Sequence, residues 1–288
     1  MKKPVKSACL SVSILSALMF AAGLARAAPP SAPPPPTESD WRSPDPENVL
    51  VIDTSKGRVI VEMTPWVAPL AVARVRQLTR MGVYNGRQFF RVIDEFMDQT
   101  GDPSDNGTGG SSLPNLAPEF TFRRGADTPL NVAMKADGLE GGFIGSLPVN
   151  SQPLDLAALT ADQKVRAWGV FCPGVGGMAR ANEPDSANAQ FFLMRSTNAT
   201  LDQKYTPWGR TIVGIDTLRA IKTGEPPTPP ADLMVKVRIL SDIPAAERPR
   251  VQVINTAGSW FKMEVERVRV AKVVGFSICD IDLPSRVN

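Results

Sequence analysis

Arg91 sits in the run Phe89-Phe90-Arg91-Val92-Ile93, and Phe96, Met97 and Gln99 follow shortly after. A guanidinium is permanently charged, planar and rich in donors. Among apolar neighbours it can favour one electronic state of a bound carbonyl or amide without attacking it. The aromatic and thioether side chains beside it, read alone, are more often core than site, and Gln99 read alone fits a solvated strand face. Little other chemistry is available. The chain has no His, which removes Ser-His and Cys-His nucleophile pairs and the commonest zinc ligands. Non-covalent chemistry with no metal and no cofactor is the expectation.

Two glycine-rich stretches invite a different reading. Gly174-x-Gly176-Gly177 follows a strand-like run and superficially matches a dinucleotide-binding turn. That turn must open a helix, with a ribose-binding acid about 20 residues on. Here Asn182-Glu183-Pro184-Asp185-Ser186 follows instead, which is turn chemistry, so an oxidoreductase is not expected. The Asn106 to Gly110 stretch lacks the Lys-Ser/Thr ending of a phosphate-binding loop.

The elements that must carry these residues are mostly strands. Val49 to Asp53 and Arg58 to Met63 are β-branched runs joined by Thr54-Ser55-Lys56-Gly57, a hairpin signal. A helix should follow, with Pro69 in its first turn, Gly82 just past its end, Ala71, Val75 and Leu78 on one stripe, and Arg74 off it. Further strands are expected at 190–194, around 210–215 and at 233–240, with a short helical pattern between the last two. Separated strands with only two short helices indicate an all-β, β-rich barrel or sandwich. Residues 123–167 read as an elaborated insertion. In the tail from Ala245, both strand and helix periods fit the run Phe261 to Val274.

Four segments in order, FFRVIDEFMDQTGD, NGTGG, GMARANEPDSANAQFF and LDQKYTPWGRTIVG, resemble the cyclophilin-type peptidyl-prolyl cis–trans isomerases. Phe89, Arg91, Phe96, Met97, Gln99, Gly101 and Asp102 match the first family motif, with Phe90 in place of its His. The resemblance spans about residues 48–242. It implies a closed antiparallel barrel of about eight strands capped by two helices. It further implies Arg91 as the catalytic residue and a proline pocket of Phe96, Met97, Phe192 and Leu201. Gln99, Ala179, Arg180 and Gln190 would contact the peptide backbone or the side chain before proline. Tyr205 stands where many members carry His, and is read either as lining the groove or as plugging the barrel end. Thr200 stands where many carry Trp, and Arg180 where the family has Asn. Such an enzyme would act on X-Pro bonds of other polypeptides. A proline-peptide-binding module without catalysis is the alternative, supported by the departures at Phe90, Thr200 and Tyr205.

The first residues carry Lys2, Lys3 and Lys6, then a short apolar stretch, then Ala25-Arg26-Ala27. This is the three-part pattern of a secretory leader over 1–27, and its apolar part is shorter than the ~20 residues that span a bilayer. A Pro-rich linker is expected over 28–47, an isomerase domain over 48–243 and an extension over 244–288. Losing the leader changes the formal charge from +3 to −1, which gives no reason to expect nucleic acid as a partner. A periplasmic or otherwise exported monomer, not inserted in the membrane after cleavage, is expected. Cys172 and Cys279 remain in the mature chain. They could pair in an oxidising compartment, but two separate buried thiols are the expectation, because spacing alone does not show proximity.

Overall fold

The computed structural model describes Met1 and residues 32–136, 138–272 and 274–288. Met1 aside, the expected leader and residues 28–31 lie outside the described residues. Val49–Thr54 and Gly57–Met63 form the expected hairpin. Its turn is tied by Thr54, whose hydroxyl donates to the Gly57 carbonyl at 2.7 Å and accepts from the Lys56 N–H at 3.0 Å.

This hairpin lies within a nine-stranded antiparallel sheet. The order is Arg87–Gln88, Leu233–Ile239, Val49–Thr54, Gly57–Met63, Pro207–Val213, Val175–Met178, Phe191–Met194, Met97–Thr100 and Arg91–Ile93. Its two edge strands are separated in sequence only by Phe89 and Phe90. The sheet therefore curls until the chain itself spans the seam, helped by a bridge between Val92 and Gly224. The fold is the β-rich curled barrel expected, with its seam crossed by the chain rather than by a ladder. Inside it, Leu50, Ile52, Val61, Phe191 and Trp208 pack against α1 (Pro69–Arg80). Phe191 meets Trp208 edge-on, with ring centroids 5.4 Å apart.

Pro69 opens α1, and Gly82 follows it at φ 71°. Ala68 at the N-cap offers no side-chain acceptor. Glu119 fills that role, accepting from the Leu70 and Ala71 N–H groups at 2.9 Å each. Arg74, expected off the buried stripe, is buried after all. Its guanidinium donates to the Asn188 and Pro114 carbonyls and ties α1 to two loops. The short second helix is α2 (Ile215–Arg219).

The insertion is a second antiparallel sheet, ordered Phe122–Arg124, Val165–Gly169, Leu147–Ser151, Leu139–Ile144 and Asn131–Ala136. A third sheet joins Trp41–Arg42, Val251–Ile254 and Ser285–Val287. Folded structure thus begins well before residue 48, and the linker is shorter than its proline content indicated. Trp41 and Arg42 explain this. Trp41 packs beside the insertion-and-tail core, and Arg42 grips Glu62 with both nitrogens at 2.7 and 2.8 Å. The Pro34 carbonyl also accepts from the Trp260 indole at 2.6 Å.

In the tail the helical period prevails, as α3 (Ser259–Ala271). Trp260, Phe261 and Val265 share its buried face, and Phe261 meets Phe143 of the insertion edge-on. Cys172 and Cys279 are a disulfide rather than separate thiols. The tail folds back across the barrel and brings their Cα atoms to 5.0 Å, although 107 residues separate them in sequence. Among the described residues, no helix is long and apolar enough to cross a membrane.

Candidate active site

Four neighbouring strands place one residue each in a row. Arg91 pairs with Gln99, Gln99 with Phe192, and Phe192 with Gly177. Directly paired residues on antiparallel strands point to the same face, so this register sets the guanidinium, the amide and the aromatic ring side by side. Gly177 ends the row because nothing larger fits. A Cβ there would fall 2.5 Å from the Phe192 ring and 2.7 Å from Phe171. Gly176 likewise makes room for Trp208, so this glycine pair serves aromatic packing and not phosphate binding. Phe171 stacks behind Phe192 at 5.7 Å. The Phe171 N–H is held by Asp202, whose carboxyl is pushed up to about 6 by burial, partly offset by that bond.

A cavity of about 120 Å³ opens over the row, lined by Arg91, Phe96, Met97, Gln99, Ala179, Arg180, Phe192, Leu201 and Tyr205. Nine of the ten residues expected from sequence are therefore brought together. The tenth, Gln190, lies in an adjoining depression, where it accepts from the Gln99 amide at 3.1 Å. It also donates to the Gly107 and Gly109 carbonyls. That loop is knotted by Asp102, which accepts from the Ser104, Asn106 and Gly107 N–H groups. Burial raises the Asp102 carboxyl, but the backbone donors outweigh it and hold the group below its ordinary value.

The Arg91 guanidinium is fixed at two points. Its Nε donates to Glu225 at 2.7 Å, and one terminal nitrogen approaches the Gln99 carbonyl oxygen at 3.4 Å. The other terminal nitrogen donates to none of the described residues. Glu225 was not anticipated from sequence. It enters from the Pro-rich segment before the last barrel strand, 134 residues from Arg91, and no local pattern marks it.

The cyclophilin type peptidyl-prolyl cis-trans isomerase/CLD profile matches residues 49–241. The chain belongs to the cyclophilin family. It is a peptidyl-prolyl cis–trans isomerase. A probable peptidyl-prolyl cis–trans isomerase of Brucella suis biovar 1 is 32% identical over 191 residues, covering 62% of this chain and 74% of its own length. Peptidyl-prolyl cis–trans isomerase 10 of Caenorhabditis elegans is 30% identical over 174 residues, covering 60% of this chain and 81% of its own. The crystal structure of cyclophilin AquaCyp293 from Hirschia baltica superposes with a TM-score of 0.79 at 35% identity. It covers 86% of this chain and 93% of that one, so the likeness extends beyond residues 49–241.

This cyclophilin's departures from the family pattern each have a structural outcome. Phe90 is buried and packs against the loop at Gly107. Thr200 is exposed and leaves that wall of the groove open. Tyr205 lines the groove rather than plugging the barrel, meeting Phe192 edge-on at 5.8 Å. Arg180 stacks on Tyr205 at 4.5 Å and donates to the Lys204, Ala181 and Asn182 carbonyls. Most of its donors are therefore engaged within the chain, and it lines the cavity with few left free.

Proposed function

We propose that Arg91 is the catalytic residue, that the cavity beside it seats the proline ring, and that the substrates are X-Pro bonds of exported proteins. The observation that supports the site reading is the shared cavity, in which the guanidinium adjoins an apolar socket. Amide resonance sets a rotation barrier near ~18–20 kcal/mol. Lowering it requires no bond to be made, only tighter binding of the twisted state than of either planar one. Phe96, Met97, Phe192 and Leu201 hold the ring, while Gln99 and Gln190 hold the flanking backbone. The unengaged edge of Arg91 then donates to the carbonyl or to the pyramidalising prolyl nitrogen. Each ~1.4 kcal/mol of such preference is worth tenfold in rate.

A protease-coupled assay on an X-Pro-Phe peptide tests this. Arg91→Ala is expected to lower kcat/KM by about 10²-fold, the scale of losing one preorganised donor, with its circular dichroism unchanged. Full activity in that variant would reject Arg91 as the catalytic group.

Export is supported by the leader pattern of the first 27 residues and by the Cys172–Cys279 disulfide, a bond that persists in oxidising compartments. Mass spectrometry of an osmotic-shock fraction should find a mature chain beginning at Ala28. Recovery of the full-length chain from the cytosol alone would reject the location.

A further inference from the structure

A cleft of about 530 Å³ shares no lining residue with the isomerase cavity. It lies between the strand Pro207–Val213, α2 and the tail segment 282–285. Pro173, Ile215, Leu283 and Pro284 give it apolar walls. Arg210 lines it as well, and Arg210 is 7% exposed. The Arg210 guanidinium makes no hydrogen bond to the described residues, and one terminal nitrogen is enclosed without a partner. The Thr211 hydroxyl, in the same wall, is also buried and unpartnered.

A buried cation without partners is costly, and chains keep one where something satisfies it. Among the described residues the Arg210 guanidinium has the Phe143 ring at 5.9 Å and the attraction of exposed Asp282, which stays beyond ion-pair distance; Glu62, opposite it in the sheet, is already held by Arg42 and Ser146. Burial pulls the guanidinium down to about 10, which leaves it cationic at neutral pH. At the rim, Arg219 and Asp216 pair at 3.3 Å and cancel each other.

We propose that this cleft binds a carboxylate carried on a small apolar body, with Arg210 as its counter-ion. One uncompensated guanidinium matches a monoanion, and a planar carboxylate fits its fork. A phosphate dianion would bring its second charge against Asp282. The apolar walls account for the body. A peptide C-terminus and a short fatty acid share this chemistry.

Calorimetric titration of the purified protein with N-acetyl-leucine, hexanoate and the uncharged N-acetyl-leucinamide tests the proposal. At least one carboxylate should bind at 1:1, with the amide about tenfold weaker or worse. N-acetyl-leucine alone would identify a peptide terminus, and hexanoate alone a fatty acid. Arg210→Met should weaken carboxylate binding about tenfold or more. Asp282→Asn, at an exposed position, should tighten it. Binding by neither carboxylate, equal binding of the amide, or indifference to Arg210→Met would overturn the proposal and leave Arg210 as packing for Phe143. Should Arg210→Met not fold, Asp282→Asn decides: tighter binding upholds the counter-ion, and unchanged or weaker binding rejects it.

Discussion

Arg91 is steered by two neighbours with different histories in the chain. Gln99 reaches it through strand register, whereas Glu225 arrives from a distant loop and holds the Nε edge at 2.7 Å. If Arg91 serves as proposed, releasing it from Glu225 lets the guanidinium sample other rotamers, which gives Glu225 a positioning role. Glu225→Ala is expected to lower kcat by about two- to fivefold, the worth of a half-exposed pair, with KM little changed. Glu225→Gln should keep most of the rate, because the Nε N–H still finds an acceptor. Steady-state rates across a series of peptide concentrations separate kcat from KM. A raised KM at constant kcat would instead place Glu225 in contact with substrate. Arg91, Phe96, Met97 and Gln99 were legible because they share one short run, and Phe192 because its strand carries a recognisable motif. Glu225 was not, since hydrogen-bond partners across 134 residues leave no periodic trace.

At the scale of elements, the insertion and the tail form one body with the groove wall. Phe143 of the insertion, Phe261 of α3 and Phe171 behind Phe192 belong to a single apolar cluster. The disulfide enters that cluster at Cys172, next to Phe171. Replacing both cysteines by Ala should cost about 4 kcal/mol in the chain-entropy view of so long a loop. It should also raise KM, because Phe171 loses a tether while stacked on Phe192. Thermal melts and peptide kinetics on the double variant check both effects. A lower melting temperature with unchanged KM would confine the bond to stability. The barrel strands and α1 could be read from β-branched runs, Pro69 and Gly82. The insertion's strands could not, because their alternation is interrupted by glycines at 141 and 142, where a Cβ would strike Met134 or Asn131. The tail was ambiguous because Val265, Val268 and Val270 satisfy two periods at once, and only contact with Phe143 decides between them.

For the whole molecule, stability should depend on pH in an unusual direction near neutrality. Burial pushes the Asp98 carboxyl up to about 8, although Arg195 Nε lies 3.3 Å away. An unfolded Asp titrates near ~3.9. Between these values the folded state holds a proton that the unfolded chain has released, so stability falls as pH rises from about 4 to about 8. Asp202 adds the same sign up to about 6. Asp102 and Glu140, held low, have the opposite sign and lose stability only as acid protonates them. Urea midpoints should decline from pH 5 to pH 8, and Asp98→Asn should flatten the part between 6 and 8. A flat profile in the unmodified protein would contradict this account of Asp98.

The third sheet also governs when the molecule can be completed. Trp41–Arg42 finds its partner strand only at Val251–Ile254, roughly 200 residues later. During synthesis this early segment must wait, its backbone groups unpaired and its indole unshielded, until every strand of the barrel has been made. A nascent chain halted before residue 251 therefore carries a loose, sticky arm that the finished protein conceals.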